Sequence, residues 1–65
     1  MAYMEHDIVS TCLDLVREGH YIPEDEVGVI VSVASESEGA YIVEFDEHPS
    51  HPVVLCYDSE FILVD

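Results

Sequence analysis

The sequence predicts an all-β fold, a small barrel of five short strands that forms a single domain over residues 1–65. A chain of 65 residues has room for one domain, and hydrophobic residues make up 49% of it, which is enough for a core. Fifteen valines and isoleucines outnumber four leucines, and β-branched side chains fit pleated strands better than helices. Short strands suit a barrel, because closure removes most exposed sheet edges.

The first candidate strand lies within residues 8–16, where two periodicities compete. The alternation of Val9 and Thr11 fits a strand, whereas the spacing of Ile8 and Cys12 fits a helix. We favour a strand for the first half of this segment and leave its second half open.

The clearest signal is a hairpin in the middle of the chain. Two β-rich runs, 26–34 and 41–46, flank a short polar loop that ends in Gly39. Side chains alternate between faces along a strand, so Ser32 and Glu44 mark the outer face. The residues expected in the core belong to the opposite set: Val29, Val31, Val33, Tyr41, Val43 and Phe45.

Two shorter strands, 53–57 and 61–64, complete the expected sheet and are joined by a tight turn or a single 3₁₀ turn. In the first of them, Val53, Leu55 and Tyr57 should face the core.

An apolar patch should then remain on the outer face of the central strands, formed by Ile30, Ile42 and Val54. Contiguous exposed apolar surface often marks an interface, either with a second copy in a homodimer or with a partner. The alternative is that the N-terminal segment, with Tyr3 and Met4, folds over this patch.

Charge is the unusual feature of the composition. Fifteen Asp and Glu residues are offset by Arg17 alone, so the formal net charge is -14. Phosphate affinity depends on Lys and Arg, so we expect neither direct nucleic-acid binding nor membrane binding. The expected partner is a basic protein, which would contact an acidic rim of loop and strand-end residues. This rim comprises Glu24, Asp25, Glu26, Glu36, Glu38, Glu44, Asp46 and Glu47.

A pattern of short motifs runs along nearly the whole chain. In order, it consists of Asp7-Ile8-Val9, Asp14-Leu15, Gly19, Pro23, Val27-Gly28-Val29-Ile30-Val31 and Tyr41-Ile42-Val43-Glu44-Phe45. This pattern resembles a family of short stand-alone bacterial proteins of unknown function, whose SH3-like barrels are similar to KOW modules and to the nitrile hydratase β-subunit barrel. The resemblance implies a five-stranded SH3-like barrel and says little about activity.

The resemblance implies an immunity or antitoxin role, but it does not imply RNA binding or metal binding. Some relatives are encoded beside toxin-like partners, which implies an immunity or antitoxin role. KOW modules often touch RNA through basic loops, but the corresponding loops here are acidic, so RNA binding does not carry over. The metal ligands of nitrile hydratase lie in its other subunit, so no metal role transfers.

No residue pattern predicts a catalytic site or a cofactor, and we expect no enzyme activity. His48 and His51 are weak candidates for metal ligands, because imidazoles and nearby carboxylates are plausible zinc ligands but the spacing of the two histidines is not specific for a metal site. Ser50 lies between these histidines, but the short loop has no evident donors for an oxyanion hole, so we do not expect Ser50 to be a catalytic nucleophile. Cys12 and Cys56 are expected to be free thiols of a cytoplasmic protein, although a disulfide between them stays open.

Three functions therefore remain open. The first is a non-enzymatic binding module that docks on a basic protein, as an immunity protein, antitoxin or inhibitor would. The second is a nucleic-acid mimic that occupies a DNA- or RNA-binding groove, and the third is an accessory domain of a metalloenzyme.

Overall fold

The computed structural model describes residues 3–64, and within them the chain is all-β. Seven strands and one 3₁₀ turn at Asp58–Glu60 account for its regular structure. In chain order the strands are β1 (Ile8–Thr11), β2 (Leu15–Arg17), β3 (His20–Ile22), β4 (Val27–Ser35), β5 (Ala40–Glu44), β6 (Val53–Tyr57) and β7 (Phe61–Leu63). The all-β prediction is confirmed, but the strand count is seven rather than five.

Five of the strands form one antiparallel sheet in the order β6-β5-β4-β1-β7, and β2 pairs with β3 in a separate hairpin. The two outermost strands, β6 and β7, do not pair with each other in the described part of the chain, so the sheet is open. No described residue belongs to a helix long and apolar enough to cross a membrane.

The β2–β3 hairpin accounts for the two strands that the sequence did not predict. Arg17 pairs with His20, which leaves the two-residue turn Glu18-Gly19 with φ angles of 51° and 82°. Positive φ at both turn positions is the type I′ geometry that matches strand twist. Glu18 is an uncommon residue for this turn, so Glu18-Gly19 is only a weak indication of a hairpin.

The predicted core face of β5 is confirmed. Tyr41 and Val43 are buried, as is Phe45 directly after the strand. Each of the other strands also contributes to the core, with two residues from β6 and one from each of the rest: Val9, Leu15, Ile22, Ile30, Val54, Cys56 and Phe61.

The predicted core face of β4 is wrong, and a β-bulge explains why. Ile30 is fully buried, whereas Val31 and Val33 are exposed and Val29 is half-buried. The register with β5 shifts between Ile30 and Ser32, so these two residues do not share a face as strict alternation requires. The outward position of Ser32 therefore says nothing about Ile30.

The predicted core face of β6 is also wrong. Val54 and Cys56 point into the core, while Val53 and Tyr57 are exposed and Leu55 is half-buried. This strand has no charged residue to mark its outer side. Periodicity alone fixes two alternating sets but does not say which set is inside.

Because the buried residues of β4 and β6 are not the predicted ones, the apolar patch predicted from Ile30, Ile42 and Val54 does not form. Ile30 and Val54 are core residues, and Ile42 is half-buried on the outer face. Tyr3, which the alternative placed over this patch, packs instead against the core, with its ring centroid 5.0 Å from that of Phe61. Met4, in contrast, is exposed.

Candidate functional site: an acidic end of the sheet

Sheet topology brings two acidic loops to the same end of the molecule. The turn before β4 carries Glu24–Glu26, and the loop after β5 carries Asp46 and Glu47. Val29 near the start of β4 pairs with Glu44 at the end of β5, so the two loops emerge side by side. Six of the eight residues of the predicted acidic rim therefore share one region of the surface.

Asp14, which is not among the residues of the predicted rim, also lies in this region. Its Oδ1 accepts a hydrogen bond of 2.8 Å from the backbone N–H of Glu24. Partial desolvation and the nearby Asp14 carboxylate raise the pKa of Tyr21, on β3. The contact between Asp14 and Glu24 could not be predicted, because Asp14 is an isolated aspartate ten residues before Glu24 in the sequence. We call the seven residues together the acidic end: Asp14, Glu24, Asp25, Glu26, Glu44, Asp46 and Glu47.

The other two residues of the predicted rim, Glu36 and Glu38, lie elsewhere. They occupy the turn between β4 and β5, at the opposite end of both strands. The five residues of β5 separate the two ends by about 13 Å at ~3.3 Å per residue. Asp58 accompanies this far turn, since its N–H donates to the Gly39 carbonyl oxygen. The rim predicted as one surface is therefore two.

No lysine or arginine neutralises the acidic end. Arg17 is the sole residue of either type in the chain, and its guanidinium forms an ion pair with the Glu60 carboxylate. Glu60 also accepts a 2.9 Å hydrogen bond from the N–H of Tyr57. The single Lys or Arg side chain of the protein is thus paired beside the 3₁₀ turn and not with a carboxylate of the acidic end.

A histidine and serine network holds the β5–β6 loop against the β2–β3 hairpin. His48 Nε2 lies 2.6 Å from the Tyr21 carbonyl oxygen, so this nitrogen must carry the proton and donate. His48 Nδ1 is then the acceptor for the N–H and hydroxyl of Ser50, at 3.1 and 3.0 Å. His20 Nδ1 lies 2.9 Å from the same hydroxyl. These contacts fix one loop of the acidic end in place.

The same hydrogen bonds engage His48, one of the two histidines that are candidate metal ligands. Both ring nitrogens of His48 already have protein partners, and His51 is exposed on a backbone with φ of 49°. Residues 3–64 contain no group of three His, Cys, Asp or Glu side chains placed to hold a metal ion. The two histidines are neighbours in sequence without forming a joint ligand set.

A hydroxyl beside an imidazole also resembles the first two members of a nucleophilic triad. Here Ser50 and His48 lie on a surface loop and His20 lies on β3, and no pocket is found among the described residues. The visible effect of the contact is to anchor the loop.

The two cysteines are free and differ in environment. Cys12 is exposed, and its Sγ lies 3.5 Å from the Ser59 carbonyl oxygen. Cys56 is buried in the core. Desolvation raises the pKa of the Cys56 thiol to about 11, and the Glu60 carboxylate adds to this shift while Arg17 opposes it.

This shift predicts a loss of stability in alkali. An unfolded thiol ionises near its reference pKa of 9.0, while the folded protein keeps its proton until about pH 11. The free energy of unfolding should therefore fall as pH rises from 9 to about 11, and urea titrations across this range measure it. Cys56→Ala should reduce the slope, and Cys12→Ala should leave it unchanged. An equal slope in all three proteins would contradict the assignment.

No family model, curated protein or solved structure matches this chain.

Proposed function

We propose that this chain is a small non-enzymatic binding module with an SH3-like architecture, which docks on a basic partner protein through its acidic end. An immunity, antitoxin or inhibitor role fits such a module best, and the family of bacterial SH3-like proteins that the sequence resembles would be its relatives.

Topology supports the SH3-like part of this proposal. The sheet order β6-β5-β4-β1-β7 places the first and last strands side by side. A hairpin, β2–β3, is inserted between β1 and β4, and a 3₁₀ turn precedes the last strand. A bulge in the central strand β4 and adjacent first and last strands are typical of SH3-like barrels, which supports this part of the proposal.

The acidic end is the observation that supports the proposed binding function. Seven carboxylates share one end of the sheet, and the single arginine of the chain is bound elsewhere to Glu60. Like charges placed together cost stability, so an uncompensated cluster needs an explanation beyond folding. A cationic partner would supply the missing countercharge and gain association rate from the long-range attraction.

The acidic end is also mechanically suited to binding. The Glu26 N–H bonds to Thr11 Oγ1 at 2.9 Å, and the Thr11 N–H bonds back to the Glu26 carbonyl oxygen at 3.0 Å. The His48 and Ser50 contacts hold the other loop. Fixed loops on a rigid scaffold present charges without an ordering cost at each encounter.

The test measures association with the basic partner, obtained by capture on the immobilised protein and identified by mass spectrometry. The triple variant Glu24→Gln, Asp25→Asn and Glu26→Gln should slow association at low salt by roughly tenfold, because it removes three charges from the acidic end. Rising salt should slow association of the wild type and diminish the difference.

A charge-matched control comes from the far turn. The variant Glu36→Gln, Glu38→Gln and Asp58→Asn also removes three charges, but from the opposite end of the sheet. Equal slowing by both triple variants would show that net charge, and not the acidic end, governs binding. Displacement of the partner by duplex DNA would instead identify the chain as a nucleic-acid mimic.

A further inference from the structure

We infer that the free edge of β6 accepts an extended segment of the basic partner as an additional strand of the sheet. This inference takes its partner from the proposed function and adds the mode of binding. It stands on the backbone geometry of Val53–Tyr57, on the absence of charged residues, proline and bulges from this strand, and on the charge around it.

The direction of each backbone group in β6 follows from two observed hydrogen bonds. The Phe45 N–H donates to the Pro52 carbonyl oxygen, and the Asp58 N–H donates to the Gly39 carbonyl oxygen. Antiparallel pairs alternate between bonded and non-bonded, so Val54 and Cys56 direct their N–H and C=O groups toward β5.

The residues between them therefore direct their backbone groups away from the sheet. Val53 and Leu55 each present one N–H and one C=O at the free edge, and no hydrogen bond within residues 3–64 engages the two N–H groups. Tyr57 presents its carbonyl oxygen there, while Glu60 Oε1 already holds its N–H at 2.9 Å. An added strand would find two donors and three acceptors.

This edge is open over a defined length. Pro52 has no N–H, and the Phe45 N–H occupies its carbonyl oxygen, so the edge begins at Val53. At the other end, the Glu60 side chain blocks the N–H of Tyr57, so pairing stops there. The available window is the five-residue strand itself.

Edge strands usually carry features that prevent pairing with other chains, and β6 lacks the common ones. Lysine, internal proline, bulges and shortness are the common forms of protection. The strand Val53–Tyr57 contains no charged residue and no proline, and its pairing with β5 is regular over all five residues. The opposite edge strand, β7, is protected by its length of three residues.

The side chains beside the window determine what kind of strand fits. Val53 and Tyr57 are 49% and 40% exposed on the outer face, so apolar residues of an added strand would pack beside them. Glu44 lies directly across from Val53, and Asp58 follows Tyr57 in the chain. The complementary segment therefore contains both apolar residues and Lys or Arg.

Charge selects such a segment over a second copy of this chain. Pairing of two β6 edges would bring together two molecules that each carry -14, with no free lysine or arginine on either side. A cationic segment would instead reduce the repulsion that the folded chain already contains.

The test uses a capped peptide of alternating lysine and valine residues and NMR hydrogen exchange on the intact protein. Bound peptide should slow exchange of the Val53 and Leu55 amides by at least about tenfold, because these N–H groups become hydrogen-bonded. The same peptide with N-methyl groups on alternate amides keeps its charge but cannot pair along that edge. It should bind at least about tenfold more weakly.

Two matched proline variants test whether the peptide pairs with the edge of β6 or with the edge of β7. Leu55→Pro removes an outward N–H without breaking the β5 ladder, and should abolish the difference between the two peptides. Leu63→Pro makes the corresponding change on β7, whose Leu63 backbone also points outward, and should preserve that difference. If Leu55→Pro does not fold, exchange in the wild type decides the question.

The outcomes separate this inference from the proposed function. If both peptides bind equally without slowing the Val53 and Leu55 amides, the strand-addition inference is overturned. The proposed function then survives if the triple variant at the acidic end weakens that binding. Slow exchange of both amides without peptide, together with a dimer in sedimentation, would overturn it in favour of a second copy.

Discussion

Replacing Phe45 with alanine should remove a large part of the stability of the fold. Phe45 is one of the two largest fully buried side chains, and it lies where the β5–β6 loop leaves the sheet. Phe→Ala changes in cores cost about 3–5 kcal/mol through lost transfer energy and a residual cavity. A domain of this length has roughly 3–10 kcal/mol in total. Circular dichroism with urea titration measures the loss.

The control for this variant is an exposed apolar residue of similar chemistry. Ile62 on β7 is 57% exposed, so Ile62→Ala should change stability by less than about 0.5 kcal/mol. If Phe45→Ala melts as cooperatively as the wild type at nearly the same midpoint, Phe45 is not the core residue that the structure shows.

Gly28→Ala should destabilise the protein by about 1–3 kcal/mol, although alanine is normally the better residue in a strand. A Cβ atom at Gly28 would lie 2.8 Å from Phe45 Cδ1 and 2.8 Å from Val43 Cγ1. Both neighbours are buried and enclosed, so neither side chain has room to move away. Thermal unfolding of the variant beside the wild type measures the cost.

A second substitution tests the cause of this cost. Phe45→Leu shortens the ring that Gly28 contacts, so Gly28→Ala should cost less in that background by about 0.5 kcal/mol or more. Additive effects would contradict the steric explanation, because residues that clash directly must show a coupling energy. Val43 keeps its contact in both backgrounds, so the rescue should be partial.

The sequence was sufficient to predict an all-β chain and its central hairpin. Alternation over β4 and β5 was strong, and Gly39 marked the turn between them. It was not sufficient to predict which face of β4 is buried, because the bulge at Val31 interrupts the alternation on which that prediction relied. The β2–β3 hairpin was missed because three-residue strands offer too short a window for periodicity.

The candidate site was predictable in composition and not in arrangement. Charge alone identified the acidic residues, and loop positions identified most of the acidic end. The separation of Glu36 and Glu38 from the others depends on strand direction, which composition does not contain. The position of β6 at the edge of the sheet could not be predicted for a different reason. Which strand lies at an edge depends on strand order, and strand order follows from long-range pairing.

The position of β1 between β4 and β7 also has a consequence for how quickly the chain reaches its native state. Thr11 pairs with Phe61 across 50 residues of chain, and Val9 is flanked by Gly28 on one side and Leu63 on the other. The β4–β5–β6 meander can form from local contacts within microseconds, but β1 gains its second neighbour only by closing nearly the whole chain into a loop. Such nonlocal topologies fold in milliseconds to seconds. During that interval the strand edges of the meander stay exposed on both sides.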